Sequence, residues 1–219
     1  MAYIWTEDVT SKSSNEICSA LFHCLNSIDT ENINTIRLMA DGCGGQNKNS
    51  FLISMASKWL GEAPPTLKTI EIIFPVTGHS FLPADRIFAL TEVQIRKLET
   101  IVDPKEYEAI IAAHATVNKL GTEVPVYDYR SAVGETVNPA NKWHFQISKV
   151  KRVILRRGKR TRNILARGEL SYQSDTGVAH QNKPPQVHHQ KFHANDSRTN
   201  SVGSCSQRVE TKRREKFTH

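Results

Sequence analysis

Two short stretches of this sequence concentrate side chains able to do chemistry. The first, Asp41-Gly42-Cys43-Gly44-Gly45-Gln46-Asn47-Lys48-Asn49, follows the apolar run Ile36-Arg37-Leu38-Met39-Ala40. A carboxylate at the C-terminal end of a buried strand stands where ligands of α/β sheets usually bind. Gly44 and Gly45 let the backbone turn sharply and approach a ligand closely. Asn47 or Asn49 can then cap the next helix, whose N-terminus favours anions. No Gly-Lys-Ser/Thr follows at the right spacing, so this is not a P-loop. A capped turn after a strand, with no ligand, has the same residues.

The second stretch, Gly78-His79-Ser80-Phe81-Leu82-Pro83-Ala84-Asp85-Arg86-Ile87-Phe88, also follows an apolar run. Asp85 falls in the first turn of a helix, where an acid can simply complement the helix dipole. Two successive strands each delivering a carboxylate to one sheet edge can instead hold Mg²⁺, which takes hard oxygen ligands and keeps several waters. Asp41 and Asp85 are the candidate pair, with Glu92 the alternative second acid and His79 a loop hydrogen-bonder rather than a ligand. The histidines at 188, 189 and 193 lack cysteine or acidic companions.

Basic runs form a third group: Lys149-Val150-Lys151-Arg152, then Arg156-Arg157-Gly158-Lys159-Arg160-Thr161-Arg162, then Lys212-Arg213-Arg214-Glu215-Lys216. Such runs contact phosphates or direct nuclear import, and they also occur in tails that are merely solvated. Their distribution is uneven. Residues 1–141 hold eleven Lys/Arg against seventeen Asp/Glu, a balance of −6, whereas residues 142–219 hold eighteen against five, a balance of +13. An acidic domain with a basic arm suits an acidic polymer such as nucleic acid. The candidate contacts are Lys149, Lys151, Arg152, Arg156, Arg157, Lys159, Arg160 and Arg162.

The elements that must position these groups are legible from periodicity. Tyr3-Ile4-Trp5 reads as a strand end. Ile17, Ala20, Leu21, Cys24, Leu25 and Ile28 fall on one face of a helix over 14–28, capped by Ser13 or Ser14 with Glu16 in its first turn. Ile36–Ala40 is a strand, and a second helix carries Leu52, Met55, Ala56, Trp59 and Leu60 on one side before Gly61 and Pro64-Pro65 stop it. The run from Thr69 to Val76 is the clearest strand. A helix over about 83–100 then buries Ile87, Phe88, Ile95 and Leu98. Another opens at Asp103 with Pro104 and Glu106 and runs to about His114. Alternation of this kind predicts an α/β fold with a mostly parallel sheet under helices, residues 34–40 and 69–76 being adjacent parallel strands with the neighbouring helices packed on them. Beyond Gly121 the pattern becomes short strand-like runs at Val124–Tyr129, Trp143–Ser148, Lys151–Leu155 and Leu170–Tyr172. From Thr176 almost no large apolar residue remains, which predicts disorder.

The segments "ADGCGGQNKN" and "FPVTGHSFLPADRIFALTE", with the opening "YIWTEDVTSKSSNEICSALFHCL", resemble the signature of a large family of transposon-derived animal proteins, abundant in insects and known as a domain of unknown function. The likeness runs from about Tyr3 to Tyr172 and is specific in the two motifs. It implies an RNase H-like fold of the DDE-transposase type, with acids on the first strand, the fourth strand and the last helix. Asp41 then matches the fourth-strand acid and Asp85 the last-helix acid, with Tyr3-Ile4-Trp5 as the end of the third strand. The first acid would lie upstream of Met1, since Glu7 and Asp8 follow that strand. A two-metal phosphoryl-transfer site needs its bridging carboxylate.

The resulting expectation is a truncated RNase H-like domain over 1–120, a small basic β-rich appendage over 121–175 and a disordered basic tail over 176–219. It would bind nucleic acid non-specifically and lack activity alone, Mg²⁺ entering only if the site is completed. A nuclease or strand-transfer enzyme completed by an upstream segment or partner chain is the alternative, and an interaction module without nucleic acid the third. No apolar stretch is long enough for a membrane span and no secretory signal opens the chain. Four cysteines at 18, 24, 43 and 205 show no metal or disulfide spacing. A nuclear or cytoplasmic protein is the expectation from these features.

Overall fold

A computed structural model describes residues 1–10, 13–76, 83–98, 100, 103–136, 142–158, 163–172 and 189–192. The elements are β1 (Ala2–Ile4), α1 (Ser14–Asn26), β2 (Thr35–Met39), α2 (Ser50–Glu62), β3 (Thr69–Ile73), α3 (Pro83–Ile95), α4 (Pro104–Ala112), β4 (Val117–Lys119), α5 (Tyr129–Thr136), β5 (Arg152–Arg157), β6 (Ile164–Glu169) and β7 (His189–Phe192). The protein is a mixed α/β fold. One sheet runs β2-β3-β5-β6-β7, and β1 and β4 form a separate parallel pair.

Within the larger sheet β2 and β3 are parallel, Ile36 opposite Ile70 and Leu38 opposite Ile72, as the sequence predicts. The next pairings, β3 with β5, β5 with β6 and β6 with β7, are antiparallel. Directly opposed residues share a face, so Ile36, Ile70, Ile72, Val153, Leu155, Ala166 and Ile164 line one side. All seven are buried. They join Cys18 and Leu25 of α1, Leu52, Ile53, Met55, Ala56, Trp59 and Leu60 of α2, and Tyr129 of α5 as the core. The other face carries Arg37, Glu71, Arg156, Arg167 and Glu169, with Arg37 paired to Glu71 at 2.9 Å.

The helix starts follow their capping residues. Ser13 and Glu16 form a reciprocal capping box for α1, and Thr10 Oγ1 adds a hydrogen bond to the Glu16 carboxylate. Burial pushes the Glu16 carboxyl up, but the hydrogen bonds from Ser13 and Thr10 outweigh it and hold it below its ordinary value. Asn49, rather than Asn47, caps α2 by accepting from Leu52 N at 3.1 Å. Asp103 and Glu106 form the box of α4, with Pro104 in its first turn.

Several expectations are corrected. Lys151–Leu155 does not found a separate β appendage: β5 pairs with β3 itself and β6 with β5, so both extend the main sheet. Val124–Tyr129 is not a strand; Val124 only bridges Leu120, and Tyr129 opens α5. Asp128 fixes that helix start by accepting from Ser131 N and Ser131 Oγ, while Asn15 and Ser19 of α1 hold the backbone of Arg130 and Tyr127. Trp143, Phe145 and Ile147 alternate as buried residues on a backbone of turns, and the strand expected at Leu170–Tyr172 lies instead at Ile164–Glu169. Helix α3 packs chiefly on α4 and leaves Phe88 exposed at 69%, while Leu98, expected in the same helix, lies beyond its end and is 45% exposed. Of the tail predicted to be disordered, His189–Phe192 forms β7, and the rest of 176–219 lies outside the described residues.

Gly168 shows how tightly the antiparallel half is built. A Cβ there would stand 2.5 Å from Phe145 Cδ2 and 2.7 Å from Val150 Cγ1. Overpacking of this kind costs about 1–3 kcal/mol. Gly168→Ala should therefore lower unfolding stability by that amount, moving the urea midpoint without changing the slope, as read by circular dichroism.

Candidate functional site

The site is set by the strand ends. Ala40 N donates to Ile73 O at 3.0 Å, and Phe74 N donates to Lys151 O at 2.9 Å. Asp41, one residue past Ala40, and Lys151, opposite Phe74, therefore flank the C-terminal end of β3 from its two neighbours.

The glycine-rich loop is closed by its own polar groups. Asp41 is exposed, and its Oδ1 accepts from Cys43 N at 3.2 Å and from Asn47 Nδ2 at 2.5 Å. Cys43 O accepts from Asn47 N and Lys48 N, each at 2.9 Å. The loop is also tied to α1: Ser14 Oγ donates to Gly45 O at 2.8 Å, and Asn49 Nδ2 donates to Ser14 Oγ at 3.0 Å and to Gly44 O at 3.1 Å. Asn47 is thus the residue that holds the Asp41 carboxylate, and Gly44 and Gly45 present carbonyls to the side chains that fasten the loop.

Asp85 lies exposed in the first turn of α3, and Glu92 is exposed on the same helix in an ion pair with Arg96. His79 falls in 77–82, outside the described residues. Among the described residues no three His, Cys, Asp or Glu side chains form a metal-binding group.

The basic residues divide sharply. Arg152 is buried, and its guanidinium holds Glu169, which also pairs with Arg167 at 3.1 Å. Arg157 points its guanidinium at the end of α2 and the following turn, donating to Leu67 O at 2.9 Å, to Gly61 O at 3.3 Å and to Ala63 O at 2.5 Å. These two, expected to contact phosphate, are committed to internal partners. Burial lowers the Arg157 pKa, yet the guanidinium stays charged. Lys149, in the turn before β5, and Arg156, on the outward face of β5, are exposed, Lys151 is half-buried, and Lys159, Arg160 and Arg162 lie outside the described residues.

Lys48 is the residue that motif reading does not single out. Its Nζ donates to Ser148 O at 2.8 Å and stands 5.2 Å from the Phe74 ring centroid, on the opposite flank from its own loop. The signal available in the sequence is a lone cation closing a glycine-rich loop behind an acid.

An apolar cleft of about 450 Å³ lies elsewhere, between the β1–β4 pair and α4, lined by Trp5, Val9, Tyr107, Ile111 and Leu120. Neither the glycine-rich loop nor the candidate phosphate-contacting residues line it.

Comparison with known proteins places the chain in one family. The profile of the domain of unknown function DUF7869 matches residues 1–160, and the chain belongs to that family. No match is found among curated proteins, and none among solved structures.

The internal role of Arg157 is measurable. Hydrogen bonds from a charged donor contribute about 1.5–3 kcal/mol net, so Arg157→Met should destabilise the fold by about 2 kcal/mol. Arg156→Met, on the outward face of β5, should stay within about 0.5 kcal/mol of the parent. Thermal and urea unfolding of the two variants side by side gives the comparison.

Proposed function

We propose that this chain is a nucleic-acid-binding domain of RNase H-like, transposon-derived character that does not catalyse strand cleavage by itself. The observation that carries the reading is the pairing of β5 with β3. It brings Arg152 to Arg156 of the basic segment into the same sheet as the strand that ends beside Asp41, with Lys149 and Lys151 just before it. The +13 balance of residues 142–219 against −6 before them supports a polyanionic partner. The parallel pairing of β2 and β3, with the Asp41 loop after β2 and the Asp85 helix after β3, is what supports carrying over the RNase H-like character that the likeness in both motifs implies. No helix among the described residues is long and apolar enough to cross a membrane.

Asp41 and Asp85 supply two carboxylates, and a two-metal reaction needs a bridging third. A second reading draws on one observation: β2 stands at the end of the sheet, with no strand on its outer side among the described residues. A strand bearing an acid, supplied by another segment or a partner, would pair there and complete a Mg²⁺-dependent nuclease or strand-transfer site.

Binding should be weak, indifferent to sequence and steeply salt-dependent, log K falling by about 0.9 per phosphate contacted on duplex DNA. Replacing Arg156, Lys159 and Arg160 with Ala should flatten the salt slope more than replacing Lys212, Arg213 and Arg214, because Arg156 is held on β5 and needs little further ordering on binding. Fluorescence anisotropy across a salt series measures this, with a parallel assay for Mg²⁺-dependent cleavage. Salt-independent binding, or none at low salt, contradicts the reading, and cleavage abolished in Asp41→Ala favours the enzyme.

A further inference from the structure

We propose that Lys48 and Lys151, held together at the C-terminal end of β3, form a clamp for a phosphodiester group, seating a nucleic-acid strand beside Asp41. The inference rests on the nucleic-acid reading above and gives it a specific point of attachment within the ordered domain.

The two ammonium groups are positioned by different means. Lys48 Nζ donates to Ser148 O at 2.8 Å and rests 5.2 Å from the Phe74 ring centroid. Lys151 is fixed by its backbone bond to Phe74, and its Nζ stands 5.8 Å from the Tyr172 ring centroid. Tyr172 closes the arrangement by donating from its hydroxyl to Phe74 O at 2.8 Å. Phe74 is 2% exposed, so the floor beneath Lys48 is part of the core rather than a mobile surface ring.

Negative charge is what this arrangement lacks. Among the described residues neither lysine forms an ion pair with a carboxylate, although Lys58, Lys119, Arg37, Arg96, Arg152 and Arg167 all do. Burial lowers the Lys48 pKa, and repulsion from Lys151 lowers it further. Two lysines placed only to cover aromatic rings would be free to diverge, since long side chains gain by sending their charged ends apart into water. Here the Lys48 hydrogen bond to Ser148 O and the pairing of Lys151 with Phe74 bring both side chains to one end of β3, where they repel each other. A phosphate between them removes that repulsion. Lysine binds phosphate as a point charge, and Lys48 retains two protons for the anion after serving Ser148 O. Aromatic rings below the ammonium groups add cation–π attraction without neutralising them.

The test uses the full chain and a short single-stranded oligonucleotide in fluorescence anisotropy at low salt. Methionine keeps the apolar stems packed, so the variant is the double replacement Lys48→Met, Lys151→Met, with Lys48→Arg, Lys151→Arg as the charge-retaining control. The methionine variant should bind about ten-fold more weakly, and its salt slope should fall by about 0.7 for each phosphate it no longer neutralises on a single strand. The arginine variant should recover most of the affinity, and circular dichroism with thermal melting should show both variants folded. Unchanged affinity and slope in the folded methionine variant overturn the clamp while leaving binding through the basic arm intact. Equal weakening in both variants also overturns it, because charge is then not what matters. No binding by the parent chain at low salt overturns the clamp and the nucleic-acid reading together.

Discussion

The pairing of β3 between a parallel and an antiparallel neighbour is the constraint on which the rest of the structure depends. Its backbone bonds fix where both neighbours end: Ile73 O takes Ala40 N, and Phe74 N takes Lys151 O. Because side chains alternate across a strand, a slip of one residue on either side would turn each apolar set out to solvent. On one side the cost would fall on Ile36 and Leu38, and on the other on Val153 and Leu155, both fully buried. Burying a Val, Leu or Ile side chain contributes about 1.5–3 kcal/mol, so the register is held by several such terms at once. The placement of Asp41 and Lys151 at one edge is a by-product of that packing.

The loops and helix starts around this edge are fixed by short polar contacts rather than apolar burial. Ser14 and Asn49 fasten the glycine-rich loop to α1, while Asn15 and Ser19 fasten residues 127–130 to the same helix. α1 therefore serves as a post with two separate segments tied to it. Arg157 plays a comparable part at the far end of α2, where helix carbonyls lack partners within the helix. Positive charge in the basic segment thus serves two ends: Arg152 and Arg157 hold the fold, and Lys149, Lys151 and Arg156 face outward or lie at the edge.

The sequence is most legible where one local signal agrees with burial. Ser13 with Glu16, and Asp103 with Pro104 and Glu106, mark helix starts because their side chains bond their own backbone, an effect independent of the rest of the chain. The run Thr69–Ile73 reads as a strand because β-branched residues dominate it. Ile164–Glu169 escapes such reading because the inward positions Ala166 and Gly168 are small, Gly168 leaving room for Phe145 and Val150, so the apolar alternation is faint. Trp143, Phe145 and Ile147 mislead for the converse reason: alternate side chains are buried, but the backbone takes turns to reach the sheet. Helix α5, with Val133 and Gly134 in eight residues, has little propensity of its own and depends on Asn15 and Asp128. At the site, Asp41 and the loop are readable from type and spacing. The internal engagement of Arg157 and the reach of Lys48 to Ser148 are not, since each joins residues about a hundred positions apart.

β5 runs antiparallel to β3 in the register that puts Lys151 opposite Phe74, and the candidate site stands on that register. Antiparallel pairs alternate between hydrogen-bonded ones and closer ones, with Cα atoms about 4.5 Å apart in the latter. Since Phe74 and Lys151 form a hydrogen-bonded pair, Ile73 with Arg152 and Glu71 with Ile154 are the close ones. Nuclear Overhauser spectra of the labelled chain should show Hα–Hα cross-peaks for those two pairs and none for Ile72 with Val153. Cross-peaks displaced by one residue, or none between the two segments, would contradict the shared edge on which the proposed nucleic-acid site stands.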